Sequence, residues 1–241
     1  MCLIVFAWKV VPGLPLFAAA NRDEFHARAA APAKWWDDHP DIYAGRDLAA
    51  GGTWMGITRN GRFAAITNIR APSERRADAP TRGGLVTDYL ASDLSADEYI
   101  ARIAGRAARF NGFNLLVGDS ERLVWFSNKV DADPRNGQAL TPGIYGLSNG
   151  LLDTAWPKIV KTKAQFASLL CQGAPEEAYF DMLSDTSRAS DCRLPKTGVT
   201  LEMERMLSAV RIESRDYGTR CSTVVRLHDC KTAALNERVI C

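Results

Sequence analysis

No run of about eighteen consecutive apolar residues occurs in the 241-residue chain, so no membrane-spanning helix is expected. No Cys-x-x-Cys pair exists among the six cysteines (Cys2, Cys171, Cys192, Cys221, Cys230 and Cys241), and all but Cys2 cluster late. That distribution argues against a zinc site and against a disulfide framework in a chain this large, so the thiols are expected to be reduced, in a cytoplasmic protein. An excess of charge is also lacking: 30 Lys+Arg against 28 Asp+Glu leaves a net +2. The basic stretch around Arg70, Arg75, Arg76 and Arg82 is broken by Glu74 and Asp78, as in a solvated loop, and nucleic acid is not expected as a partner. The first apolar run has no basic region before it and is interrupted by Lys9, Pro12, Gly13 and Pro15, so Ala18-Ala19-Ala20 is not read as a signal-cleavage site. There are three histidines, and His26, His39 and His228 each stand alone, which suits solvated or hydrogen-bonded side chains better than haem ligands. With no internal repeat, linker or low-complexity segment, one domain spanning residues 1–241 is the economical reading, and no metal or other cofactor is called for.

What the chain does have begins at its start. The apolar runs at residues 3–8 and 16–20, joined through Val11-Pro12-Gly13-Leu14-Pro15, predict a buried hairpin. Such a hairpin brings Asn21-Arg22-Asp23-Glu24 close to Cys2 at the end away from the turn. Cys2 alone would read as a small buried strand residue. The tetrad changes that reading, because Arg and Asp are costly to half-bury unless they are paired or used. Trimming of Met1 would leave Cys2 with a thiol and a free α-amine, and an amine of pKa ~7.7–8.0 can take the thiol proton near neutrality without a histidine.

Further along, residues 26–52 lack a period and are expected to form a long loop packed down by Trp35 and Trp36. Asn60-Gly61 between two strand-like runs predicts a type I′ hairpin, and its second strand ends at Asn68. Helical spacing at Leu85, Val86, Tyr89 and Leu90 predicts one helix, and Ser95-Ala96-Asp97-Glu98 reads as the capping box of a second. A hairpin about Gly118-Asp119 follows, then a short strand at residues 143–147 that stops at Ser148-Asn149-Gly150. Trp156-Pro157 opens a helix, weaker helices follow near residues 175–183 and 201–210, and Tyr217-Gly218-Thr219-Arg220 precedes two closing strands. Strands apolar on both faces need cover on both sides, and helices arriving in two batches fit an α+β, four-layer αββα sandwich of two antiparallel sheets.

The segment Ala19-Ala20-Asn21-Arg22-Asp23-Glu24, with Met1-Cys2 ahead of it and Ile66-Thr67-Asn68-Ile69-Arg70, Gly146-Leu147-Ser148-Asn149-Gly150 and Tyr217-Gly218-Thr219-Arg220 behind, resembles the NRDE family. Eukaryotic members of that family are called transport and Golgi organisation proteins. More distantly, the pattern is similar to the N-terminal-cysteine hydrolases that include bile salt hydrolase and penicillin V acylase, which implies the same αββα, Ntn-hydrolase-like fold. Residue by residue, the resemblance implies Cys2 as nucleophile, Arg22 and an acid of the tetrad as its electrostatic neighbours, Asn68 and Asn149 as oxyanion donors, and Arg220 as a further cationic group. In the hydrolases the arginine and aspartate are separated by two residues. Here they are adjacent and should point to opposite faces of an extended strand, which leaves Asp23 and Glu24 both open as the acid.

Two functions follow from the resemblance. One is a hydrolase that cleaves an amide or thioester through an acyl intermediate on Cys2. The other is a non-catalytic protein that binds and traffics haem, acyl-CoA or another lipid in the same cavity, with Arg22 and Arg220 near a ligand carboxylate or phosphate. Either way the expected ligand is a small acyl or haem-like molecule.

Overall fold

A computed structural model describes residues 3–129 and 133–241, so Cys2 lies outside the described residues. The strands are β1 (Leu3–Val11), β2 (Leu14–Phe25), β3 (Ala30–Trp35), β4 (Ile42–Asp47), β5 (Met55–Thr58), β6 (Phe63–Asn68), β7 (Phe113–Gly118), β8 (Leu123–Ser127), β9 (Gln138–Ala139), β10 (Gly143–Leu147), β11 (Tyr217–Leu227) and β12 (Ala233–Val239). The helices are α1 (Gly83–Leu90), α2 (Ala96–Ala104), α3 (Pro157–Cys171), α4 (Glu176–Leu183) and α5 (Leu201–Leu207). One sheet has five strands in the order β10-β1-β2-β11-β12 and the other seven in the order β3-β4-β5-β6-β7-β8-β9, with antiparallel pairing throughout.

Strand alternation sorts the core into layers. In β1, Ile4, Phe6 and Trp8 face the space between the sheets, where they meet Met55, Ile57, Phe63, Leu116 and Trp125 of the other sheet. Leu3, Val5 and Ala7 face outward and are covered by Ile159 and Phe166 of α3 and by Tyr179, Phe180 and Leu183 of α4. The outer face of the seven-stranded sheet is covered in the same way by α1 and α2, through Leu85, Val86, Tyr89, Tyr99 and Ile100. The expected four-layer α+β sandwich is what forms. Each fully buried large apolar side chain contributes about 1.5–3 kcal/mol, so the doubly buried β1 is among the costliest strands to expose. The capping box also forms: Ser95 Oγ accepts from Glu98 N at 3.3 Å, and Glu98 Oε2 accepts from Ser95 N at 2.9 Å.

Four local expectations are corrected. Residues 26–52 are not a long loop, because β3 and β4 pair within them; their alternation is masked by short Ala-rich and Pro-containing runs at the edge of a sheet. Trp36 is buried there as expected, but Trp35 is 37% exposed and stacks edge-on with Tyr43. The Asn60-Gly61 turn is not type I′, which needs positive φ at both residues; Gly61 alone has it (φ 79°), and Gly61 N donates to Thr58 O at 3.1 Å across a three-residue loop. Finally, Asn21-Arg22-Asp23-Glu24 does not follow the second strand but lies inside β2, which continues to Phe25 because β11 pairs with it along its length.

Candidate functional site

The register of four strands gathers the predicted residues at one end of the five-stranded sheet. Leu3 opens β1 opposite Asn21, Ile4 is opposite Leu147 at the end of β10, and Arg22 is opposite Cys221 of β11. Arg22, Ser148-Asn149 and Arg220 therefore all lie where β1 begins.

Arg22 points into the space between the sheets. Its guanidinium carbon lies 4.2 Å from the centre of the Trp54 ring, and the residue is 4% exposed. The indole can lie there because Gly45 has no side chain: a Cβ on Gly45 would come within 2.4 Å of the Trp54 ring. Among the described residues Arg22 forms no ion pair and donates no side-chain hydrogen bond. Its pKa is pushed down, chiefly by burial and also by Arg220, while Cys221, Glu24 and Asp47 oppose the shift. A buried cation whose packing partner is an aromatic ring costs more than ordinary folding requires, a cost usually met at sites that bind anions or react.

Asp23, the next residue on β2, faces the other way. It accepts a hydrogen bond from Thr219 Oγ1 at 2.6 Å, and Thr219 Oγ1 in turn accepts from Ile212 N at 2.9 Å. Arg22 and Asp23 are thus on opposite faces, as strand geometry requires. Glu24 is half-buried, accepts from Phe25 N at 2.9 Å and lies 3.9 Å from Arg28 Nε.

Asn68 and Asn149 meet. Asn149 Nδ2 donates to the Asn68 backbone carbonyl at 2.8 Å, Arg70 N donates to the Asn149 carbonyl at 2.8 Å, and Arg70 Nη2 approaches Asn149 Oδ1 at 3.4 Å. Behind them Arg70 forms a buried ion pair with Glu204 at 2.8 Å, and both line a cleft with Trp156 and Lys158. Arg220 is occupied by backbone: its guanidinium donates to the carbonyls of Cys241 (2.7 Å), Phe25 (2.9 Å), Arg28 (3.0 Å) and His26 (3.2 Å). It is close enough to Arg22 to be felt electrostatically.

The chain from end to end matches the family model described as Transport and Golgi organisation 2 (TANGO2), over residues 1–240. The chain belongs to the TANGO2 family. The human Transport and Golgi organization protein 2 homolog is 33% identical over 246 residues, covering 93% of this chain and 88% of its own, and the cattle homolog is 32% identical with the same coverage. NRDE is the same family, so the resemblance read from the motifs stands. Among solved structures, the fold is similar to a Caenorhabditis elegans N-acylethanolamine-hydrolyzing acid amidase ortholog, with a TM-score of 0.54, 12% identity and 92% of each chain covered. That likeness establishes the Ntn-hydrolase type of fold for this TANGO2-family chain.

Several residues around Arg22 escaped the sequence reading. Trp54 and Gly45 build the platform under the guanidinium. Cys221 lies across from Arg22 with its thiol pKa pushed well up, first by burial and then by Glu237, and Glu237 accepts from Ala33 N at 2.8 Å. Their partners are distant in sequence, and no local motif marks them. Among the described residues no group of three or more His, Cys, Asp or Glu side chains could hold a metal ion, and no helix is long and apolar enough to cross a membrane.

Proposed function

We propose that the chain is a hydrolase that cleaves an amide or thioester of a small acyl compound through an acyl intermediate on Cys2. The observation that carries this reading is Arg22, a guanidinium buried between the sheets, without an anionic partner among the described residues, at the end where β1 begins. Cys2 is tethered to Leu3 by one peptide bond, which limits their Cα separation to ~3.8 Å, and Leu3 is paired with the residue next to Arg22. A guanidinium beside a thiol lowers its pKa and favours thiolate, which is the role this reading gives Arg22 toward Cys2. In this reading Asp23 is the buried acid, since Glu24 is half-exposed and engaged near Arg28. Asn68 and Asn149 supply donors toward the oxyanion of the tetrahedral intermediate, and Arg220 adds positive potential while holding the strand ends. Each oxyanion donor contributes on the order of 3 kcal/mol. The five described cysteines are free thiols, which supports a reducing, cytoplasmic setting.

The same guanidinium, without an anionic partner among the described residues, also supports a second reading, a carrier that binds a carboxylate or phosphate of haem, acyl-CoA or a lipid without chemistry. Hydrolysis of a panel of acyl-CoA thioesters and N-acyl amides by the parent and by Cys2→Ser tests the two together. The hydrolase reading requires turnover by the parent, a loss of several orders of magnitude in the variant, and little change in affinity. Binding that is equal in both proteins, with no turnover in either, supports the carrier.

A further inference from the structure

The Tyr217-Gly218-Thr219-Arg220 motif builds a second thiol site, around the exposed Cys241 and independent of the role of Cys2. The His26 imidazole lies over Gly218, where a Cβ would come within 3.2 Å of its Cε1. His26 Nε2 is 3.1 Å from the Ser214 carbonyl oxygen. A carbonyl can only accept, so Nε2 carries the ring hydrogen and Nδ1 keeps its lone pair in the neutral ring. That lone pair faces Cys241 Sγ at 3.3 Å. Cys241 itself is fixed by Arg220, whose Nε donates to the Cys241 carbonyl at 2.7 Å and whose carbonyl accepts from Cys241 N at 3.4 Å. The thiol is exposed, so an electrophile can reach it. Nucleophile, base and a group that orients the base are all present in hydrogen-bond reach.

We propose that Cys241 and His26 form a nucleophilic pair that accepts an acyl group from a small thioester. The S–H proton passes to His26 Nδ1 as Cys241 Sγ attacks the thioester carbonyl. The new S–C bond forms, the old C–S bond breaks, and the proton is returned from His26 to the departing thiolate. The products are an S-acylated Cys241 and a free thiol, with no oxidant or reductant needed.

Native protein is labelled with limiting iodoacetamide, and the rates at Cys241 and at Cys171, an exposed thiol with no histidine contact, are read by peptide mapping. The pair predicts that Cys241 reacts about tenfold faster than Cys171 in folded protein and at an equal rate in urea, where the pairing is lost. His26→Gln should bring the folded rate down to that of Cys171. In parallel, S-acetyl-N-acetylcysteamine should acetylate Cys241 in the parent and not in His26→Gln. Equal folded rates at Cys241 and Cys171, an unchanged Cys241 rate in His26→Gln, or no acetyl group on the Cys241 peptide of the parent would overturn the proposal. The urea comparison needs no variant, so a poorly folding His26→Gln protein does not remove the test.

Discussion

Asn149 Nδ2 donates to the backbone carbonyl of Asn68 at 2.8 Å and thereby ties the end of β10, in one sheet, to the end of β6, in the other. The contact spans 81 residues of sequence and joins the two sheets near the end where β1 begins. Asn149→Ala leaves that carbonyl without its amide donor and removes a neighbour of Arg70, so a loss of about 1–3 kcal/mol is expected in urea denaturation. A change below a few tenths would mean that the two asparagines do not hold the sheets together.

Arg22 and Arg220 should respond to truncation with opposite signs. Arg22→Leu removes a poorly solvated cation and keeps apolar contact with Trp54, so stability should rise or hold while ligand binding or turnover falls. Arg220→Ala removes donors to three carbonyls of the β2–β3 connection and to the carbonyl of Cys241, and should lower stability by about 2 kcal/mol or more. Paired denaturation curves check this; a strongly destabilised Arg22→Leu protein would show that the guanidinium serves the fold.

Gly45 never touches a ligand in this account, yet it sets the height of the Trp54 ring beneath Arg22. Gly45→Ala should push the indole toward the guanidinium, cost about 1–3 kcal/mol by overpacking, and quench or shift tryptophan fluorescence. Restoration by Gly45→Ala combined with Trp54→Phe would confirm the steric route. No rescue in the double variant would place the damage elsewhere.

Glu237 supplies a pH dependence. Burial raises its pKa above the ordinary glutamate value, against opposing hydrogen bonds from Ala33 and Cys221 and the charge of Arg22. An acid whose folded pKa is raised holds its proton longer when folded, so its contribution is fully present below the unfolded pKa and is lost as pH rises through the folded value. Glu237→Gln, which cannot ionise, should therefore gain stability relative to the parent as pH rises from about 4.5 toward neutrality. Denaturation midpoints for both proteins at pH 4.5 and pH 7 read this directly, and a constant difference between them would contradict it.

The layers were legible because β1 is apolar on both faces, and only a sheet covered on both sides accounts for Leu3, Val5 and Ala7 as well as Ile4, Phe6 and Trp8. The capping box at Ser95 and Glu98 and the proline at the start of α3 were equally legible, since each is a local hydrogen-bond or φ requirement. β3 and β4 were hidden because Ala30-Ala31-Pro32-Ala33 has neither branched side chains nor a clear alternation, and its pairing depends on β4 across a register shift. Among the site residues, the placement of Arg22 and Asp23 on opposite faces followed from strand geometry alone. Thr219 as the donor to Asp23, 196 residues away, did not, nor did Trp54 under Arg22. The occupation of Arg220 by four carbonyls was invisible for the same reason, because backbone acceptors leave no mark in the sequence.

The measurement closest to the central claim is a trapped intermediate. The parent protein and Cys2→Ser are mixed with an activated acyl thioester, quenched in acid within the turnover time, and analysed by intact mass and peptide mapping. Intact mass also reports whether Met1 has been removed. The account predicts one acyl group on the Cys2 peptide of the parent, formed and discharged at the rate of turnover, and none at that position in Cys2→Ser. Turnover at the parental rate in Cys2→Ser, or turnover by the parent without an adduct that forms and decays on Cys2, would contradict it.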